Sequence, residues 1–122
     1  MTSSKPAARY RDIRRNLEKI RDYLVRGGGL DRVLAEQEMP YDAIRMCFLE
    51  ISEAASKLGA LAELHEPDLP WGAIRGFGNN LRHRYDEIDL NAIERAVADI
   101  DRLDAACVRA IDRLEREGAP KS

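Results

Sequence analysis

"YRDIRRNLEKIRDYL", residues 10–24, sets Tyr10, Ile13, Leu17, Ile20 and Leu24 at steps of three and four, with charged residues filling all of the gaps but Asn16 and Tyr23. At 3.6 residues per turn those five side chains share one face of a helix. A strand would need apolar residues at every second position instead. The spacing predicts an amphipathic helix over residues 7–26. "GGG" at 27–29 then stops it, because glycine loses the most backbone freedom in a helix and accepts the left-handed conformation that closes one.

The same periodicity continues outward from that helix. "LDRVLAEQ" (30–37) reads as a short helix, and Pro40 suits the first turn of the next, where a missing N–H costs nothing. Ile44, Phe48, Ile51, Ala55 and Leu58 mark a helix over 40–58, which Gly59 and "ALAELH" bend or extend. "EPDLP", with Pro67 and Pro70, reads as a loop feeding a fourth helix over 70–84 that turns Trp71, Ile74, Phe77 and Leu81 inward. A last helix, N-capped by Asp89, carries Ile93, Val97, Ile100, Leu103, Cys107, Ile111 and Leu114 on one stripe and ends at Gly118 and Pro120. The expectation is an all-α antiparallel bundle of four main helices with short extra ones, forming one domain over 7–118. Residues 1–6 are expected to be a disordered lead and 119–122 a flexible tail.

Composition agrees with this class. Apolar residues make up 44% and charged residues 34% of 122, which suits one small domain with much helical surface. Net charge is −2, so no global basic field advertises nucleic acid. Locally, however, Trp71–Tyr85 holds Arg75, Arg82 and Arg84 and no acid, a positive segment that hints at an anionic ligand. Cys47 and Cys107 sit inside apolar helical patterns and read as buried free thiols rather than a disulfide or redox pair. No signal-like stretch and no membrane-length apolar run is present, so the expected location is cytoplasmic, with no membrane partner.

The fourth helix stands apart. It holds Gly72, Gly76 and Gly78 within its first eight residues. Each costs about 1 kcal/mol relative to Ala in a helix interior. Close approach of another helix and approach of a ligand or partner chain both explain such glycines. At 100° per residue, Asn79 lies about 40° from His83, and Asn80 about 60° away on the other side. Arg82 flanks this polar patch, and Arg75 can reach toward it from two turns earlier. Imidazole can move a proton near neutral pH, guanidinium forks match phosphate oxygens, and an amide can orient either. Together these groups could break RNA without a metal: a base takes the 2′-OH proton and cations hold the phosphorane charge. His65, in "ELHEPDLP", reads as a solvated loop residue, and neither histidine has acids at ligand spacing, so no metal or cofactor site is expected.

"LPWGAIRGFGNNLRHRYDEID" (69–89) resembles the signature of the HepT-like proteins of the HEPN superfamily, through Pro70, Trp71, Asn79, Leu81, His83, Tyr85, Ile88 and Asp89. "ISEAASKLG" (51–59) is similar to that family's preceding helix. The resemblance implies a homodimeric, metal-independent endoribonuclease, the toxin of a toxin–antitoxin pair, with RNA as substrate. It further implies a minimal nucleotidyltransferase antitoxin that transfers AMP onto the motif tyrosine, Tyr85. His83 corresponds to the proton-transfer residue and Asn79 to its orienting neighbour. The motif Arg would fall at position 78, where this chain has Gly78; Arg82 or Arg75 is then the expected phosphate-stabilising cation. The alternative is a catalytically inactive interaction module that binds the nucleotidyltransferase and is modified by it.

Overall fold

The computed structural model describes residues 5–83 and 90–118. Among them run α1 (Lys5–Arg26), α2 (Leu30–Glu36), α3 (Met39–Leu58), α4 (Ala60–His65), α5 (Trp71–His83), α6 (Leu90–Ala98) and α7 (Ile100–Gly118). The expected cap at Asp89, residues 1–4 of the expected lead and the tail residues 119–122 lie outside the described part; Lys5 and Pro6, expected in that lead, already belong to α1.

α1 packs against both α3 and α7. Tyr10, Ile13, Leu17 and Ile20 have no solvent exposure, as the opening periodicity predicts. The helix ends where Gly28 and Gly29 take φ of 86° and 103°, a region that side chains other than glycine's resist. The Gly29 N–H closes the turn by donating to the Leu24 carbonyl oxygen at 2.8 Å. α3 returns beside α1 and buries Ile44, Phe48, Ile51, Ala55 and Leu58.

Ion pairs show how α7 lies on α1. Arg11 near the start of α1 bonds Glu115 near the end of α7, while Arg21 bonds Asp101 at 2.7 Å and Asp104 at 3.0 Å near its start. Arg14 joins Asp104 at 2.7 Å. The two helices are therefore antiparallel; Arg11, Arg14 and Arg21 of α1 meet α7 carboxylates, while Arg9, Arg15 and Arg26 pair with Asp12 and Asp22 of their own helix. α3 and α5 are antiparallel too: the Phe77 ring meets Phe48 edge-on, with centroids 5.4 Å apart, whereas Arg75 reaches Ala55 and Gly59 further along α3. The result is the expected all-α bundle of antiparallel main helices with short additional ones.

Two expectations are corrected. The last helix is not continuous: Asp99 separates α6 from α7. Its N–H bonds the Ala96 carbonyl oxygen, one residue tighter than the α pattern, and Leu103 restarts the ladder by donating to the Asp99 carbonyl oxygen. Nor is His65 a solvated loop residue. It closes α4, and its Nδ1 meets the hydroxyl of fully buried Tyr10 at 2.8 Å. Next to it, buried Glu66 is bonded by Arg109 at 2.6 Å and accepts the Trp71 indole N–H on its carbonyl oxygen at 2.9 Å. This polar knot ties the α4–α5 connection to α1 and α7, and it fixes where α5 begins.

The cysteines behave as expected. Both are free and buried. Burial raises the Cys47 thiol above its ordinary value and pushes Cys107 up to about 12, so neither carries thiolate near neutral pH.

Candidate functional site on α5

Trp71 begins α5 and is 1% exposed; Leu81 and Gly78 are buried with it. These residues face the core and leave Gly72, Asn79, Asn80, Arg82 and His83 exposed. The three glycines have different reasons. A Cβ on Gly72 or Gly76 would meet nothing within 4 Å, whereas one on Gly78 would run into both Oγ and Cβ of Ser52. Gly78 is thus a point of close approach between α3 and α5. Ser52 completes the contact by donating from Oγ to the Arg75 carbonyl oxygen at 2.9 Å.

That contact bears on the missing motif arginine. Position 78 points into α3, and the space a side chain would use is filled by Ser52. Arg82 stands four residues later, one turn on and about 40° round the helix, so it lies on nearly the same face. Its Nη2 donates to Glu53 Oε1 at 2.7 Å, and its Nη1 reaches Asn79 Oδ1 at 3.4 Å. Helical geometry then puts Asn79 between Arg82 on one side and His83 on the other. These three exposed side chains make one continuous polar patch at the last described turn of α5.

Arg75 is placed differently. Nε donates to the Ala55 carbonyl oxygen at 3.1 Å, and Nη2 to that of Gly59 at 2.8 Å. Nη1 and Nη2 also grip Glu63 Oε2 and Oε1, each at 2.8 Å. The guanidinium therefore braces the C-terminus of α3, adding a second donor to carbonyls that already accept the Gly59 and Ala62 N–H groups, and ties it to α4. This fork holds the Glu63 carboxyl below the usual carboxylate range and raises Arg75. Arg75 is not brought to His83.

Ser52, Glu53 and the carbonyl of Ala55 belong to the site's support and were not singled out as such from sequence, although "ISEAASKLG" marked their helix. Tyr85 and Arg84 lie outside the described residues. Beside the patch, an apolar groove of about 500 Å³ opens between α5 and α6–α7, with Ile74 and Phe77 in its wall and Asn80 at its rim.

A family model described as ribonuclease HepT-like matches residues 13–110, from within α1 to within α7. No curated protein and no solved structure matches the chain.

Proposed function

The chain belongs to the HepT-like ribonuclease family, and from that membership we propose that it is a metal-independent endoribonuclease, the toxin of a toxin–antitoxin pair working in the cytoplasm. The observation that carries the reading is the exposed run of Arg82, Asn79 and His83 at the end of α5, a cation, an amide and an imidazole on adjoining faces. His83 takes the proton of an RNA 2′-OH, and the freed oxygen attacks the neighbouring phosphorus. Arg82 holds the charge that builds on the phosphoryl oxygens, and Asn79 fixes the two side chains relative to each other. The 5′ oxygen leaves with a proton, giving a 5′-OH and a cyclic phosphate. Arg75 contributes through the fold, as the clamp on α3 and α4.

A homodimer fits this chemistry. Gly72, Gly76, Asn79 and His83 fall within about 60° of one another around α5. The two glycines leave that face open for close approach by a second copy. Two copies of α5 packed there would bring a second His83 to protonate the leaving oxygen.

Regulation follows from Tyr85, two residues past His83. A minimal nucleotidyltransferase would activate the tyrosine oxygen to attack the α-phosphorus of ATP, releasing pyrophosphate and leaving AMP on the ring. The added negative phosphate, two residues from His83 along the sequence, would repel RNA.

A second reading has its own observation. With Ser52 filling the space at position 78 and Arg75 bonded to α3, the site has lost one cation and keeps another occupied. An inactive module that binds the nucleotidyltransferase and is its substrate accounts for that. The deciding experiment is cleavage of RNA pools in EDTA by protein whose intact mass shows unmodified Tyr85, compared with His83→Ala. Cleavage that survives chelation and disappears in the variant establishes the enzyme. Equal backgrounds for both proteins leave the non-catalytic partner.

A further inference from the structure

We propose that Glu53 of α3 is a positioning residue for Arg82, and that the pair supplies, one turn further along α5, the phosphate-facing cation that Ser52 keeps out of position 78. The inference rests on the ribonuclease reading above and names the part of the site that lies outside the motif helix.

Three observations lead to it. Gly78 is buried against Ser52, so α3 itself closes the place where a cation would otherwise stand. Arg82 is the next residue along the helix on nearly the same face, and it is exposed next to His83. Its guanidinium is gripped from two sides, by Glu53 Oε1 at 2.7 Å and Asn79 Oδ1 at 3.4 Å. A lone arginine at an exposed helix end samples many rotamers, and ordering it on substrate binding costs conformational entropy. Glu53 removes much of that cost before RNA arrives. A guanidinium has five N–H donors, so the two contacts leave others to meet phosphoryl oxygens.

The bland alternative is an exposed ion pair joining two helices. Pairs at this exposure (38% and 47%) contribute little to stability, so a purely structural Glu53 should leave every property nearly unchanged. Charge alone acts in the opposite sense, since a carboxylate beside the site repels phosphate. Removing Glu53 for charge reasons should then help RNA, and removing it as a positioner should hurt turnover. Glu53→Gln separates the two, because it keeps an acceptor of the same reach without the charge.

The test is kcat and KM on a single-stranded RNA oligonucleotide for the wild type, His83→Ala, Arg82→Ala, Glu53→Ala, Glu53→Gln and the double variant Arg82→Ala/Glu53→Ala, with a melt of each. Arg82→Ala should lower kcat about 100-fold, as loss of one transition-state donor does. Glu53→Ala should lower kcat about 10-fold with KM and melting temperature nearly unchanged. Glu53→Gln should stay within about threefold of wild-type kcat, with a lower KM. The double variant should be no worse than Arg82→Ala, because Glu53 acts only through that side chain. Wild-type kcat in Glu53→Ala, or losses that multiply in the double variant, overturn the proposal while leaving His83-dependent cleavage standing. Cleavage indifferent to His83→Ala, or absent from the wild type, overturns the ribonuclease reading and this proposal with it.

Discussion

Alanine at each of the three α5 glycines should give opposite signs within one helix. At Gly72 and Gly76 the new methyl meets nothing within 4 Å. The gain is then the helix preference of Ala over Gly, up to about 1 kcal/mol. At Gly78 the same gain is offset by collision with Ser52, and rotating the Ser52 hydroxyl does not relieve it, since Ser52 Cβ is in the way as well. α5 must back off α3, and the Ser52 bond to the Arg75 carbonyl oxygen breaks with that shift. Overpacking of this kind costs about 1–3 kcal/mol and a lost hydrogen bond about 1 kcal/mol. Set against the helix gain, Gly78→Ala should be about 1–3 kcal/mol less stable than wild type. In a domain of this size that lowers the melting temperature by roughly 3–15 °C. Far-UV melts and urea titrations of the three variants measure it. Adding Ser52→Gly, which removes both obstructing atoms, should recover at least about 1 kcal/mol of the Gly78→Ala loss in a double-mutant cycle. A Gly78→Ala protein that melts at or above wild type would falsify the close α3–α5 approach, and with it the explanation for the missing arginine.

Arg75→Leu should cost about 1–2 kcal/mol in urea titrations, because it removes the guanidinium's bonds to the Ala55 and Gly59 carbonyls, each of which keeps one backbone donor, and releases Glu63 to solvent; a loss under about 0.5 kcal/mol would remove the clamp. The Glu63 carboxyl is depressed in the folded state, so its pairing stabilises above the unfolded carboxylate range and the contribution fades as pH falls through the folded value. Glu63→Gln should therefore be less stable than wild type at neutral pH, with the gap closing in acid; a gap that persists in strong acid contradicts the assignment. Buried Cys47 and Cys107 should resist alkylation in mildly alkaline buffer and both react after unfolding, by intact mass; rapid labelling of the native protein would contradict their burial. Gly76→Leu should leave the melt close to that of wild type but abolish self-association in sedimentation, if a second copy packs on that face; unchanged association rules the face out.

The main helices were legible because their signal is local. Tyr10 to Leu24 and Ile44 to Leu58 repeat at helical spacing, and burial follows that spacing closely. The break at Asp99 was not legible, since Ile93, Ile100 and Leu103 keep the same period across it and a one-residue tightening leaves no mark in composition. His65 was misplaced for a different reason. Its neighbours Pro67 and Pro70 signal a loop, while the Tyr10 hydroxyl that holds it is 55 residues away in the chain. Pairing of charges was not legible either: α1 is rich in arginine, but that Arg11, Arg14 and Arg21 meet the α7 carboxylates Asp101, Asp104 and Glu115 follows only from the fold.

At the site, Asn79 and His83 could be picked out because one turn of helix relates them, and that relation is in the sequence. The roles of Arg75 and Arg82 could not be separated in the same way. Both are arginines on one polar side of α5, and periodicity treats them as equivalent donors. What separates them is the course of α3 beneath. Within one turn, Ser52 excludes a side chain at 78, Glu53 receives Arg82, and the Ala55 carbonyl, with Gly59 beyond it, takes Arg75. α3 thus makes one arginine a structural clamp and leaves the other at the exposed end beside His83. Changing which cation faces a phosphate in this bundle therefore requires changing α3 as well as the motif helix. An arginine restored at 78 without relief at Ser52 should cost stability before it could contribute to chemistry.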